Sequence, residues 1–276
     1  MIDVLMKGRP DAGYHQMQLE ELPSAALKRG VTIEILLPSS YFYSRKKYPF
    51  LVLNDGQDIN AVRLKATLNR LTKNEQIADV IAFGIHAGDR MQEYGVASHP
   101  DFKKRGSKAK AYTQFMINEL MPLLAANFRL DLESEVNTIG GFSLGALSAF
   151  DIGWHHPEWF QRIGVFSGSL WWRSKGYDEG FDENKHRILH NMVRNGEYTP
   201  GLKFWFEAGT LDEHADRNHN GIIDSIDDTL DLIAELIKKD YRPYYDIEYC
   251  EIKNGKHNQH TWAKAMPEFL KWAFGK

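Results

Sequence analysis

Apolar and polar positions in this chain fall into two rhythms that separate strands from helices. Residues 48–53 (Tyr-Pro-Phe-Leu-Val-Leu), 79–85 and 202–208 are nearly unbroken apolar runs, the pattern of strands covered on both faces. Residues 135–139 and 162–167 are short runs that also read as strands. Tyr245, Ile247 and Tyr249 alternate with Asp246, Glu248 and Cys250, which predicts a half-exposed edge strand. Residues 15–22 and 31–37, separated by a turn-rich stretch ending in Arg29-Gly30, read as an antiparallel pair at the other edge. A helical period governs the rest. Tyr112, Met116, Leu120 and Leu124 form one stripe over residues 110–127, where Pro122 predicts a kink or an early break. Ile226, Leu230, Ile233 and Ile237 form another stripe over 225–239. Further helices are predicted at 61–71, 146–155, 183–195 and 261–274, and residues 1–14 read as a loose lead-in.

About eight strands, the first two adjacent and the others alternating with helices, predict an α/β fold. Its sheet is mostly parallel, with helices on both faces. No repeat or low-complexity linker interrupts the 276 residues, so the expectation is one domain over 1–276.

Composition narrows the function classes. A formal net charge of −3 gives no footprint for nucleic acid, and no apolar run reaches the length of a membrane span. The single cysteine, Cys250, rules out an intrachain disulfide and a cysteine-based metal site. The first residues lack a basic-then-apolar leader, so the expected location is cytoplasmic. The sequence carries no signal for oligomeric state.

In a parallel sheet, chemistry gathers at the carboxyl ends of strands, and three such ends carry reactive groups. Gly141-Phe-Ser143-Leu-Gly145 lies where a strand turns abruptly into a helix. Glycines on either side permit that reversal and push the serine hydroxyl outward. Asp212 follows the strand at 202–208, with Glu213 and Glu207 as rivals. His257 follows the last strand, with His260 as its rival in the same loop. A serine is a poor nucleophile until a base takes its proton and N–H groups receive the developing charge. The order Ser143, Asp212, His257 supplies nucleophile, orienting acid and base. The N–H groups of Leu144 and Gln57 are the expected oxyanion hole. Trp171 and Trp172 at a strand end read as pocket walls or as core filler. Arg90, Glu93 and Tyr94 read as substrate contacts, or for the two charged residues as an internal ion pair.

A second motif, Asp216-x-Asn218-x-Asn220-Gly-Ile222-x-Asp224-x-x-Asp227, has the oxygen-ligand spacing of a calcium loop. Asp227 stands where glutamate is usual. The site predicts a structural calcium that holds the Asp212 loop and takes no part in chemistry. The bland alternative is an Asx-rich turn capping the following helix.

The set Leu53-Asn-Asp-Gly-Gln57, Arg90-Met-Gln-Glu-Tyr94, Gly140-Gly-Phe-Ser-Leu-Gly-Ala146, Ser167-Gly-Ser-Leu-Trp-Trp172, Gly209-Thr-Leu-Asp212 and Gly255-Lys-His257 resembles the esterase D-like branch of the α/β hydrolases. That branch includes feruloyl, carbohydrate and siderophore esterases and mycolyl transferases. The resemblance implies the α/β-hydrolase fold, Ser143, Asp212 and His257 as the triad, and Gln57 and Leu144 as oxyanion donors. Lys256 stands where the family often has glycine, and the calcium-loop motif is not a general feature of the branch. The expected function is a metal-independent serine esterase acting through an acyl-enzyme on a small-molecule ester of a polar or sugar-like alcohol. Acyl transfer to another acceptor is one alternative, and a non-catalytic calcium-stabilised binding module is another.

Overall fold

The computed structural model describes residues 13–276. Its eight strands are β1 (His15–Ser24), β2 (Arg29–Leu37), β3 (Phe50–Asn54), β4 (Ile81–Ile85), β5 (Thr138–Phe142), β6 (Arg162–Phe166), β7 (Lys203–Leu211) and β8 (Ile247–Lys256). They form one sheet in the order β1-β2-β4-β3-β5-β6-β7-β8. The β1–β2 and β2–β4 pairings are antiparallel, and every pairing from β4 to β8 is parallel. This is the expected edge hairpin on a parallel sheet, with β8 at the opposite edge.

The helices are α1 (Leu64–Lys73), α2 (Arg90–Glu93), α3 (Ala109–Gln114), α4 (Met121–Asn127), α5 (Leu144–His155), α6 (Glu183–His186), α7 (Ile188–Asn195), α8 (Asp224–Ile237) and α9 (Gln259–Phe274). Alternate residues of each strand feed two cores. Phe50, Val52, Ile163 and Phe206 pack with Phe115, Leu147, Phe150 and Leu232 on one face. Leu51, Leu53, Phe166 and Trp205 pack with Leu68, Trp262, Met266 and Phe269 on the other. The period-2 alternation of a strand explains why both layers could be filled from unbroken apolar runs.

Three expectations shift. Residues 110–127 do not break at Pro122; the helix widens into a π-helical segment, Phe115–Leu120, and then continues as α4. Proline has no N–H to return to the preceding turn, so a locally widened turn lets the helix pass it. The helix expected over 183–195 is divided at Arg187, whose backbone is extended (φ −76°, ψ 105°). Its buried guanidinium is pinned by Asp228 at 3.0 Å and Asp231 at 2.7 Å. The lead-in expected at 1–14 lies outside the described residues except for Gly13 and Tyr14, and Tyr14 is buried with its hydroxyl accepting from Val80 N–H.

From β3 the chain crosses to β4 on one side, and β5 is then laid down on the other side of β3. The carboxyl ends of β3 and β5 therefore flank the point where the connections diverge, which in such sheets opens a crevice. Gln57 and Ser143 follow those two ends.

Candidate active site

Ser143 occupies the turn between β5 and α5 with φ 55° and ψ −119°, a conformation that non-glycine residues rarely adopt. The flanking glycines make it possible. A Cβ on Gly141 would strike the Gly145 backbone, and one on Gly145 would lie 2.5 Å from Asp55 Oδ2. Strain of this kind persists only where the surroundings hold it. Here Ser143 N–H donates to the Phe166 carbonyl at 2.9 Å, and the Ser143 carbonyl accepts from the N–H groups of Ala146, Leu147 and Ser169.

The turn after β3 is locked against this elbow. Asn54 Nδ2 donates to the Gly145 carbonyl at 2.7 Å. Arg90 grips Asp55 through two hydrogen bonds of 2.8 and 3.0 Å and also donates to the Phe142 carbonyl at 3.0 Å. Arg90 thus ties the Gln57 turn to the strand that ends just before Ser143. In that turn the N–H groups of Asp58 and Ile59 make the local hydrogen bonds, to Asp55 and Gly56. Leu144 is the first residue of α5, where N–H groups lack intrahelical partners and the helix dipole favours negative charge.

Asp212 immediately follows β7 and His257 immediately follows β8. Both line a cavity of about 270 Å³, together with Ser167, Gly168, Trp171, Glu213 and Ser225. The imidazole packs edge-on against Trp262, with ring centroids 5.5 Å apart. Trp262 in turn stacks on Phe142, next to Ser143. The rival His260 lies on α9, and both histidines reach the surface. Neither Asp212 carboxylate oxygen accepts a hydrogen bond, although both are buried. The Ser143 hydroxyl has Ser169 Oγ as its partner, at 3.3 Å. Trp262 touches both the His257 ring and Phe142, the residue before Ser143, and among the described residues no hydrogen bond links Ser143, His257 and Asp212; such chains are often loose until substrate enters.

His257 reaches the surface, yet desolvation of its ring by the surrounding protein lowers its pKa; Asp212 opposes the shift and Arg90 adds to it. The imidazole is therefore neutral at physiological pH and able to accept a proton. Burial raises the pKa of Asp212, and nearby polar groups, the Ser167 hydroxyl first, oppose the shift without a formed hydrogen bond.

The remaining sequence-named residues divide. Trp171 lines the cavity. Trp172 is fully buried, its indole N–H donating to the His99 carbonyl. Tyr94 is fully buried, its hydroxyl accepting from Asp55 N–H. Glu93 is buried in an ion pair with Arg29 at 2.6 Å. These side chains hold the loop in place and do not border the cavity. In the motif at 216–227, the amides of Asn218 and Asn220 both donate to Asp227 Oδ2, at 2.9 and 2.8 Å. Asp216 accepts the N–H groups of Asn220 and Gly221, and Ile222 N–H donates to Asn220 Oδ1. Asp224 instead faces Arg217, 3.2 Å from its guanidinium. Among the described residues, no group of three or more His, Cys, Asp or Glu side chains is arranged to hold a metal ion, and no helix is long and apolar enough to cross a membrane.

Sequence reasoning gave no role to Ser167, Ser169 or Trp262, and treated Glu207 only as a substitute for Asp212. Glu207 is fully buried on β7; Ser167 Oγ donates to it at 3.3 Å and accepts from Trp262 Nε1 at 2.9 Å. Burial, and then the charge of Asp212, push its pKa up to about 8. No local pattern marks these residues, because only the packing of α9 on the sheet brings them together.

Known proteins agree with this architecture. A Bacillus subtilis relative named "Uncharacterized protein YbbA" is 27% identical over 251 residues, covering 88% of this chain and 92% of its own. A ferulic acid esterase superposes with a TM-score of 0.71 at 15% identity, covering 96% of this chain and 99% of its own. The enterobactin esterase from Shigella flexneri superposes with a TM-score of 0.71 at 21% identity over 96% of this chain and 59% of its own, a likeness of fold. Residues 24–273 match the family model described as "Putative esterase", and the chain belongs to that family.

Proposed function

We propose that the protein is a serine carboxylic-ester hydrolase working through an acyl-enzyme, with Ser143 as nucleophile, His257 as base and Asp212 as the acid that orients it. Membership of the esterase family supports ester hydrolysis. The observation that carries the serine mechanism is the strained conformation of Ser143 at the head of α5, held from both sides by hydrogen bonds.

In the proposed sequence His257 removes the Ser143 proton as Oγ attacks the ester carbonyl. The carbonyl oxygen becomes negative beside the N–H groups of Leu144 and Gln57. Collapse breaks the C–O bond, and the imidazolium returns the proton to the departing alcohol. Water then repeats the sequence on the acyl-enzyme and restores the free serine. Asp212 stabilises the imidazolium each time. The proposed substrate is a small-molecule ester of a polar or sugar-like alcohol. Hydrolysis of p-nitrophenyl acetate by the native protein, and its loss in Ser143→Ala and His257→Ala with the fold intact, is the expected result. Retained turnover in Ser143→Ala would remove the reading.

The loop at 216–227 we propose to hold a structural calcium. Its donor set is all oxygen-bearing, as a hard cation requires. Asp216, Asn218, Asn220 and Asp227 would hold the ion, since Asp224 is engaged by Arg217. Calcium would then anchor the segment that follows Asp212. A calcium-dependent rise in melting temperature, reversed by EDTA and absent in Asp216→Ala, is expected; an unchanged melting temperature overturns it.

A further inference from the structure

Next to the cavity that holds His257 and Asp212 lies a second cleft of about 300 Å³, sharing Trp171 and Glu213 with it. Its other walls include Phe102, Tyr177, Lys103, Arg105 and Arg173. The Arg173 guanidinium is sandwiched between two rings, 4.6 Å from the Phe102 centroid and 3.9 Å from that of Tyr177. Its buried Nε has no hydrogen-bond partner. The Lys103 ammonium lies over the same Phe102 ring, 5.5 Å from its centroid.

Most charges at this end are already matched. Arg105 is held by Asp101, and its guanidinium lies 4.6 Å over Trp171. Asp224 is held by Arg217. Among the described residues, neither Arg173 nor Lys103 belongs to an ion pair of this kind. The one acid lining the cleft without such a partner is Glu213, a single negative charge against the two positive charges of Arg173 and Lys103. The cleft therefore keeps a positive surplus between aromatic walls. A guanidinium fixed by stacking presents its remaining N–H groups in a planar fork, the geometry that matches a carboxylate.

We propose that Arg173 and Lys103 form an anion subsite that selects esters whose alcohol half is an aryl group carrying a carboxylate. The proposal rests on the esterase reading above and deepens it. The alcohol half is the one assigned here because His257 must hand its proton to the leaving oxygen, so the leaving group lies on the His257 side. The cleft continues from that side across Trp171. Phe102, Trp171 and Tyr177 supply the faces against which an aryl ring stacks.

The test compares 3-acetoxybenzoate with its neutral isostere 3-acetoxybenzamide, which share acyl group, ring and geometry. A charge-assisted pair in an open cleft is worth about a tenfold preference. The native protein is expected to favour the anion in kcat/KM by about that factor, and Arg173→Gln to abolish the preference, chiefly through KM. Arg173→Lys should keep most of it, and added salt should weaken it. A ratio near one in the native protein, or an unchanged ratio in Arg173→Gln, overturns the subsite. If Arg173→Gln fails to fold, Lys103→Met is read in the same way: a ratio lowered several-fold supports the subsite, and an unchanged one overturns it. Failure to hydrolyse either ester is a different result, which counts against the esterase reading itself.

Discussion

Glu207 offers a quantitative test of how the acid side of the site is built. Its carboxyl is fully buried on β7, one oxygen faces the Ser167 hydroxyl and the other has no partner. Burial and the neighbouring Asp212 raise its pKa from the ordinary 4.5 to about 8. The folded protein therefore keeps a proton here that the unfolded chain releases above about pH 4.5. Wherever the native state binds more protons, stability falls as pH rises, so this contribution declines between about pH 4.5 and 8 and levels off above. At 1.36 kcal/mol per pH unit the full loss is on the order of 5 kcal/mol, an upper figure because a charged Glu207 would draw in water or move. Glu207→Gln keeps the shape and cannot ionise. Urea unfolding of both proteins from pH 4.5 to 9 isolates the effect, since every other titrating group is common to both. The difference should be small at the acid end and grow in favour of Gln by several kcal/mol by pH 8. Parallel stability curves would refute the assignment of Glu207 as a neutral buried acid.

Two further changes probe other parts of the molecule. His190 is fully buried, its Nε2 2.9 Å from the Asp228 carbonyl, and burial followed by the charge of Arg187 lowers its pKa to about 3. It stays neutral in the fold while the unfolded chain protonates, so stability is lost as pH falls from about 6.5 towards 3, by up to about 5 kcal/mol. His190→Gln should flatten that acid limb in denaturant titrations, and an unaltered limb would contradict it. Gly145→Ala would place a methyl 2.5 Å from Asp55 Oδ2, a carboxylate that Arg90 holds and that cannot retreat. Overpacking of this kind costs about 1–3 kcal/mol. Because the displaced turn carries Gln57, kcat should fall as well; a variant with native melting temperature and native kcat would show that the turn is not fixed by this contact.

What the sequence reveals here is local. An abrupt strand-to-helix junction marked by two glycines, and polar residues directly after apolar runs, locate Ser143, Asp212 and His257 because the signal and the residue lie side by side. The doubly covered strands are legible for the same reason, since an apolar run needs no knowledge of its partners. Trp171 and Trp172 show the limit. They are adjacent and chemically identical, yet one lines the cavity and the other is buried under residues 95–106. Which way each points depends on the loop that packs over them. Arg90 and Glu93 are similar: their ion pairs reach Asp55 and Arg29, contacts between distant segments that no spacing announces. The π-helical passage before Pro122 and the division at Arg187 likewise follow from tertiary contacts that override a plain helical period.

The central claim is that Ser143 is a nucleophile activated by His257. Intact-mass and peptide mapping after exposure to a fluorophosphonate measures this most directly. One phosphonyl adduct on Ser143 is expected, formed at least about a hundredfold more slowly in His257→Ala, as general-base assistance implies. No adduct on the native protein, or an adduct on another serine, would contradict the account.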